Sequence, residues 1–247
     1  MRLTHCTLTG VDERTDLSEL AALSDRYTHA EWGFLYSPKR QGLPGRYPSV
    51  RTLLRALNDL PASVRVALHV CGDGVQNLLY GELMVTRLLR LVGRRGGRVQ
   101  LNFNLGHLST MMGPLSRMGR LLDNHPDVTF ITQYHAQNHA AYEVLRSRSN
   151  YAVLFDRSGG TGRLPDKWPA PLSDVPCGYA GGLGPDNLAD HLEVIAETAG
   201  ERDIWIDMEN NLRTRDAQGM DWFDLGRAGL CLDITSHSRS HDHAFGN

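Results

Sequence analysis

The chain has 247 residues, 41% of them hydrophobic, so it is long enough and apolar enough to bury the core of one large domain. Its 26 Lys and Arg residues nearly balance its 28 Asp and Glu residues, and the net charge of −2 gives no electrostatic footprint for nucleic acid or a membrane surface. No run of about 20 apolar residues occurs, so we expect no membrane-spanning helix.

The N-terminus and the cysteines predict a cytoplasmic protein. Residues 1–13, which read MRLTHCTLTGVDE, lack the apolar stretch of a signal peptide and turn acidic early. A disulfide framework is typical of smaller secreted domains, so we expect reduced thiols at all four scattered cysteines. These are Cys6, Cys71, Cys177 and Cys231.

Short apolar segments alternate along the chain with longer segments of helical period, a pattern typical of βα units around a parallel sheet. Eight strands are predicted, at Leu3–Leu8, Glu31–Tyr36, Arg65–Val70, Arg98–Phe103, Val128–Gln133, Tyr151–Phe155, Pro176–Ala180 and Ile204–Met208. Seven helices are predicted, at Asp16–Ser24, Ser49–Leu60, Gly74–Val92, Leu115–Asn124, His139–Arg146, Asn187–Ala199 and Asp221–Leu232.

The expected fold class is therefore α/β, a single (βα)8 TIM barrel, a fold that needs about 250 residues. The connection after the sixth strand, residues 163–175, is rich in proline, so the sixth helix is expected to be short or absent. The barrel domain is assigned to residues 1–235. Residues 236–247 form a polar, His-rich tail, interpreted as a frayed terminus, with metal binding as the less favoured alternative.

Chemistry in such a barrel takes place at the carboxyl ends of the strands, so the residues there are the functional candidates. The first strand contains Cys6, and the second is followed by Gly-Arg-Tyr-Pro-Ser, which contains Arg46. The sixth strand ends at Asp156 and leads into Gly-Gly-Thr-Gly at residues 159–162. The seventh leads into Ala-Gly-Gly-Leu-Gly-Pro at residues 180–185.

In this order, these segments resemble the phosphoribosylanthranilate isomerases, (βα)8 barrels of tryptophan biosynthesis. The opening strand is similar to the family's Lys-Ile-Cys-Gly-Ile-Thr, and residues 32–49 to its Gly-Phe-Val-Phe-x-Pro-x-Ser-x-Arg-x-Val-Ser. Residues 99–101 match the start of its Val-Gln-Leu-His-Gly. The best match is Asp followed by Gly-Gly-Thr-Gly in residues 154–162, and residues 179–188 resemble its Leu-Ala-Gly-Gly-Leu-x-Pro-Glu-Asn-Val.

The resemblance implies an isomerase that converts an aldose amine into a ketose amine by acid–base catalysis, the Amadori rearrangement. It implies that Asp156 protonates the ring oxygen and that Cys6 removes the proton from C2. It also implies that Arg46 faces the carboxylate at the anthranilate end of the substrate and that Asp207 contacts the substrate. From the residues alone, a packed core thiol remains the less favoured alternative for Cys6, and a loop-capping carboxylate the less favoured alternative for Asp156.

A phosphate site is expected where the glycine loops meet, because glycine lets backbone N–H groups approach an anion closely. A simple turn remains the alternative for these loops. The predicted phosphate-binding residues are Gly159, Gly160, Thr161, Gly162, Gly181, Gly182, Asn210 and Asn211.

Departures from the family pattern leave alternatives for the substrate. The family's eighth strand runs Val-Asp-x-Ser-Ser-Gly-Val-Glu, whereas residues 206–213 read Ile-Asp-Met-Glu-Asn-Asn-Leu-Arg, without the phosphate-facing Ser-Gly turn. The chain is therefore either an isomerase of phosphoribosylanthranilate or a close relative, a paralogous barrel acting on another phosphosugar or amine adduct, or a non-catalytic barrel that binds a phosphorylated metabolite.

The strand ends carry further polar residues, including His69, Asn102, Gln133 and His135, which predict a polar ligand. No His-Glu-x-x-His or Cys-x-x-Cys spacing occurs, so no metal site is assigned, and no cofactor is expected. The expected partner is a phosphorylated small molecule, bound by a monomer or a homodimer, without nucleic acid or membrane.

Overall fold

A computed structural model describes residues 1–108, 113–156 and 162–244, with side chains through residue 237. Eight parallel strands, paired in chain order, close into a barrel, which confirms the predicted fold and each predicted strand. The strands are β1 (Arg2–Thr9), β2 (Ala30–Tyr36), β3 (Arg65–Cys71), β4 (Arg98–Asn102), β5 (Thr129–Gln133), β6 (Tyr151–Phe155), β7 (Cys177–Ala180) and β8 (Asp203–Met208).

Eight helices surround the barrel in the described part of the chain. They are α1 (Leu17–Arg26), α2 (Val50–Asp59), α3 (Asp73–Leu79), α4 (Leu83–Gly93), α5 (Pro114–Asn124), α6 (His139–Leu145), α7 (Leu188–Ala199) and α8 (Leu225–Ala244). The single helix predicted over Gly74–Val92 is wrong, because it divides into α3 and α4. Gly81 takes a φ of +77° there, and the Glu82 side chain caps the first amides of α4.

The connection between β6 and β7 contains no helix in its described part, residues 162–176, in agreement with its proline content. Its ordered contacts come from Trp168, which is buried against the edge of the Tyr179 ring and donates from Nε1 to His191 Nδ1 at 3.2 Å. Trp168 therefore fixes the described part of this connection against β7 and α7.

A short hairpin follows β8, formed by β9 (Arg213–Arg215) and β10 (Asp221–Phe223), where the sequence predicted the start of a helix. The prediction that a helix begins at Asp221 is therefore wrong. Buried Arg213 fastens the hairpin to the end of β1 by donating to Asp12 Oδ2 at 2.9 Å, and the Phe223 N–H donates to the same oxygen at 2.8 Å.

The last helix, α8, starts after Asp224, whose Oδ1 accepts from the Arg227 N–H at 3.1 Å. Its backbone remains helical through Ala244, so the boundary predicted between residues 235 and 236 falls inside α8. In the described residues, none of the helices has the combined length and apolar character that crossing a membrane requires.

Inward-facing polar side chains lie near both ends of the strands. Near the amino ends of the strands, Arg98 Nε donates to Glu31 Oε2 at 2.8 Å, and Arg98 Nη2 donates to Thr7 Oγ1 at 2.9 Å. We call these three residues the floor cluster. The Arg98 guanidinium also lies 4.7 Å from the centre of the Trp205 ring, and Gly178 leaves the space that this indole fills.

Candidate active site

A recess of about 510 Å³ opens at the carboxyl ends of the strands, where (βα)8 barrels carry their active sites. Its walls come from β3 to β8 and from the loops after β6, β7 and β8. Seven of the residues predicted from sequence line it, namely Asp156, Asp207, Gly162, Gly181, Gly182, Asn210 and Asn211. The fold therefore brings together residues that lie up to 55 positions apart in the chain.

Asp156 lies directly after β6, with 6% of its surface exposed. Its Oδ2 accepts a hydrogen bond from the side-chain amide of Gln133, at the end of β5, at 2.8 Å. His135 is close enough for the Asp156 charge to oppose the effect of burial, which lowers the pKa of this imidazole. An amide donor on a buried carboxyl fixes its orientation toward the recess.

Asp207, on β8, faces the barrel interior and is 7% exposed. Its Oδ1 accepts a hydrogen bond from the Thr9 hydroxyl at 2.7 Å, and its Oδ2 lies 3.9 Å from His69 Nε2. We call Thr9, His69 and Asp207 the mouth cluster. Burial raises the pKa of Asp207 well above its usual value; the Thr9 hydrogen bond opposes the shift, and nearby Glu209 adds to it.

His69 is neutral at pH 7, because burial lowers its pKa to about 4. Its contact with Asp207 is therefore not an ion pair. On its other side, His69 Nδ1 lies 3.4 Å from Gln100 Nε2, and Gln100 Nε2 also donates to Asn102 Oδ1 at 2.9 Å. A continuous chain of polar contacts thus runs across the interior from β4 to β8.

A cysteine is present at the mouth, at the end of β3. Cys71 Sγ accepts a hydrogen bond from the Asn102 amide at 3.5 Å, and the thiol lines a second recess beside the first. Burial raises the pKa of Cys71 to about 11, so it remains a thiol rather than a thiolate at neutral pH.

Arg46 also lines the second recess, in the loop after β2. Its Nη1 donates to Glu209 Oε1 and, at 2.6 Å, to Asn210 Oδ1. The ion pair is partly open to solvent, with about 30% of each side chain exposed. Arg46 is therefore placed at the mouth, and one end of its guanidinium fork is already occupied by a carboxylate of the chain itself.

The loops after β6, β7 and β8 are packed tightly against one another. Gly182 has a φ of +67°, and a Cβ there would lie 2.9 Å from the Gly162 oxygen, so no other residue fits without movement. The Gly182 carbonyl accepts from the amides of Asn187 at 2.9 Å and Asn211 at 2.7 Å. The Asn211 side chain thus connects the loop after β8 to the loop after β7.

The first recess is acidic. Asp156, Asp207 and Glu209 line it, and no Lys or Arg side chain of the described residues does. Anion binding there would depend on backbone amides. Within residues 162–244, no acceptor is found for the N–H groups of Gly182 and Leu183. The predicted phosphate-binding residues Gly159, Gly160 and Thr161 lie outside the described residues.

Cys6, predicted as the catalytic base, does not reach the mouth, and that prediction is wrong. It is fully buried on the outer side of β1, against Cys231 and Thr235 of α8, and burial raises the pKa of its thiol. The pairing of β1 with β8 shifts register between Leu3 and His5, so the alternation of side chains reverses there. Thr7 and Thr9 point inward instead.

Sequence reasoning missed Thr9, Gln100 and Glu209 as components of the site. The signal was a polar residue at every second position of otherwise buried strands, as in Thr7-Leu8-Thr9 and Gln100-Leu101-Asn102. In a barrel, this alternation marks the inward face, because the outward face must be apolar against the helices. Among the described residues, no group of three or more His, Cys, Asp or Glu side chains is placed to hold a metal ion.

No family model and no curated protein matches the sequence. Solved structures with a similar fold include phosphoribosylanthranilate isomerase from Thermotoga maritima, with a TM-score of 0.56, 14% identity, and coverage of 95% of this chain and all of that one. The Thermus thermophilus isomerase has a TM-score of 0.57 and 16% identity, covering 97% and 100%. TrpF from Jonesia denitrificans has a TM-score of 0.56 and 12% identity, covering 96% and 98%. At such identities, the likeness establishes the barrel fold alone.

Proposed function

We propose that the mouth of the barrel catalyses an acid–base isomerisation of a sugar–amine adduct, converting an aldose amine into a ketose amine. The observation that carries this proposal is the placement of two buried carboxyls, Asp156 and Asp207, from β6 and β8, in one recess. The reaction needs one group that protonates the ring oxygen and one that removes the proton from C2. With Cys6 outside the recess and the Glu209 carboxylate paired with Arg46, we assign the two roles to Asp156 and Asp207.

The structural similarity to phosphoribosylanthranilate isomerases supports a phosphorylated aminosugar as the substrate. In this proposal, the phosphate lies against the Gly182 and Leu183 N–H groups, and Arg46 recognises an acidic group at the other end of the substrate. Arg46 is suited to this role because a guanidinium binds carboxylates in a planar, bidentate manner.

A second candidate substrate is an amine adduct without phosphate. It is favoured by the lining of the first recess, which includes three carboxyls and, among the described residues, no Lys or Arg side chain; one of the three, Glu209, pairs with Arg46 of the second recess. Such a surface attracts an amine and repels a phosphate dianion. The chemistry at C1 and C2 is the same for both candidates, so they differ only in how the rest of the substrate is held.

The test is to assay the purified protein with phosphoribosylanthranilate, and in parallel to ask whether the gene rescues a tryptophan auxotroph that lacks the isomerase. We expect turnover that disappears in both Asp156→Asn and Asp207→Asn. Titration with inorganic phosphate, followed by amide NMR, should shift the Gly182 and Leu183 signals. Turnover of only unphosphorylated adducts would select the second candidate, and absence of turnover on both classes would overturn the proposal.

A further inference from the structure

The two carboxyls of the first recess have different partners, and the difference bears on which of them carries a proton. Asp156 Oδ2 accepts from an amide N–H of Gln133 at 2.8 Å. An amide donor favours the ionised form of the carboxyl that it contacts. The amide thus fixes the orientation of the Asp156 carboxyl, with Oδ2 engaged as an acceptor at the edge of the recess.

Asp207 lies deeper and has no cationic partner. Among the described residues, no Lys or Arg forms an ion pair with it, and the neighbouring imidazole of His69 is neutral at pH 7. The carboxylates of Glu31 and Glu209 both disfavour a further negative charge at this position, and the effects that favour one, the Thr9 hydrogen bond and the charge of Arg98, are outweighed by burial. A buried carboxyl in such surroundings is most stable in its protonated form.

The other residues of the mouth cluster fix the orientation of Asp207. Gln100 approaches His69 Nδ1 at 3.4 Å, so the ring proton lies on Nε2, which is 3.4 Å from Thr9 Oγ1. The Thr9 hydroxyl then donates to Asp207 Oδ1 at 2.7 Å. With Oδ1 occupied as an acceptor, the carboxyl proton is left on Oδ2. Gly33 leaves the space that the Thr9 side chain occupies, because a Cβ at position 33 would collide with that side chain.

We infer that Asp207 is the proton donor of the mouth and Asp156 its base, and that Thr9 and His69 are positioning residues that hold the Asp207 proton on Oδ2. The inference deepens the proposed function and rests on it. It makes Asp156 the base, whereas the sequence resemblance implied that Asp156 is the acid. It also explains why Thr9 and His69 are buried beside Asp207.

The reaction balances with these two groups alone. Asp207 gives its proton to the ring oxygen as the bond between C1 and that oxygen breaks, and the nitrogen lone pair forms C1=N. Asp156 removes the C2 proton, the C–H electron pair forms C1=C2, and the C1=N pair returns to nitrogen. Finally, C1 takes a proton from Asp156 while the 2-hydroxyl returns one to Asp207, which leaves a ketone at C2. The oxidation of C2 and the reduction of C1 are internal, so no other reactant is needed.

The first experiment needs no substrate. Carboxyl ¹³C NMR of the whole protein, labelled at aspartate, would follow both groups against pH, with the signals assigned by their loss in Asp207→Asn and Asp156→Asn. We expect Asp207 to remain protonated to a higher pH than Asp156. The opposite order would overturn the inference, and it would do so without affecting the question of whether the protein is an isomerase.

Thr9→Val and Thr9→Ser form a matched pair for the positioning role. Valine removes the hydroxyl that favours ionised Asp207, so the Asp207 titration should move to higher pH, whereas serine should leave it where it is. If Thr9→Val does not fold, Thr9→Ser and the wild-type titration order still decide the assignment. A titration that stays unmoved in a folded Thr9→Val protein would overturn the role of Thr9.

Turnover provides the second readout. With an accepted aminosugar, Thr9→Val should lower kcat by about 10- to 100-fold with little change in KM, the usual cost of a misplaced catalytic group, and Thr9→Ser should restore it. The alkaline limb of the pH profile should move upward in Thr9→Val. A loss confined to KM would overturn the positioning role. No turnover on any aminosugar, together with the expected order of titration, would overturn the proposed function and support the assignment of the two carboxyls.

Discussion

The floor and mouth clusters show how one barrel interior treats two buried carboxyls in opposite ways. At the floor, burial opposes the charge of Glu31, yet the contact with Arg98 lowers its pKa below the ordinary value. At the mouth, Asp207 is equally buried, but it has only a hydroxyl and a neutral imidazole beside it, and its pKa rises. Both carboxyls lie on inward positions of the two strands that flank β1, so burial alone does not distinguish them.

The difference separates a structural use of buried charge from a chemical one. The floor cluster pairs each charge and fills its hydrogen bonds, which is what a buried ion pair needs to be tolerated. The mouth cluster keeps a carboxyl without a counter-charge at the edge of a recess. Strongly perturbed carboxyls in clefts are typical of active sites.

The largest expected effect is on catalysis at the mouth. Asp156→Asn and Asp207→Asn should each lower the rate by about 10²–10⁴, because each removes one acid–base group. Glu31→Gln is the matched control at the floor, with the same loss of a carboxylate, and its rate should stay close to wild type at a temperature where it is folded. If Glu31→Gln lowered the rate as much as Asp156→Asn and Asp207→Asn do, the proposed difference between a structural floor and a catalytic mouth would be wrong.

The next effect is on stability at the floor. Arg98→Met removes the cation and leaves Glu31 buried without a partner, which should cost about 3–5 kcal/mol of unfolding free energy. The measurement is urea denaturation at pH 7. Adding Glu31→Gln to Arg98→Met should recover much of the loss, because no charge is then stranded. If Arg98→Met were as stable as wild type, the stability of the protein would not depend on the ion pair between Arg98 and Glu31.

A smaller effect is expected for the ion pair at the mouth, between Arg46 and Glu209. Arg46 is 30% exposed, whereas Arg98 is 9% exposed, so solvent screens the first pair more strongly. Arg46→Ala should weaken substrate binding by about 1.5–3 kcal/mol, the worth of a charge-assisted hydrogen bond, with a much smaller loss of stability. Calorimetric binding and denaturation of the same sample would compare the two. If Arg46→Ala lowered the unfolding free energy more than the binding free energy, Arg46 would have a structural role instead of a binding role.

The smallest effect is a gain of stability. The raised pKa of Asp207 in the folded protein means that the unfolded chain ionises first, so stability falls as the pH rises above about 3.8. Asp207→Asn removes this penalty and should raise the unfolding free energy at pH 7 by about 1 kcal/mol, in the range of active-site substitutions that relieve strain. Glu31→Gln should do the reverse, because its pKa is lowered on folding. Denaturation of both variants at pH 5 and pH 8 would show whether Asp207→Asn raises the unfolding free energy and Glu31→Gln lowers it.

Much of the fold was predictable because its signals are local. The apolar segments fixed all eight strands, and the prolines of residues 163–175 correctly excluded a long helix there. The failures have specific causes. The break at Gly81 lies inside a continuous helical pattern, and the hairpin at residues 213–223 depends on Arg213 meeting Asp12, two residues that lie 201 positions apart.

The candidate site divides in the same way. The sequence by itself determined that Asp156, Gly181 and Gly182 follow the ends of strands and that Arg46 lies in the loop after β2, because strand positions follow from local patterns. Only the tertiary structure decided which side of β1 carries Cys6, since a register shift against β8 reverses the alternation. It also decided that Glu31 meets an arginine and Asp207 does not, because the charge state of a buried carboxyl depends on partners from distant strands.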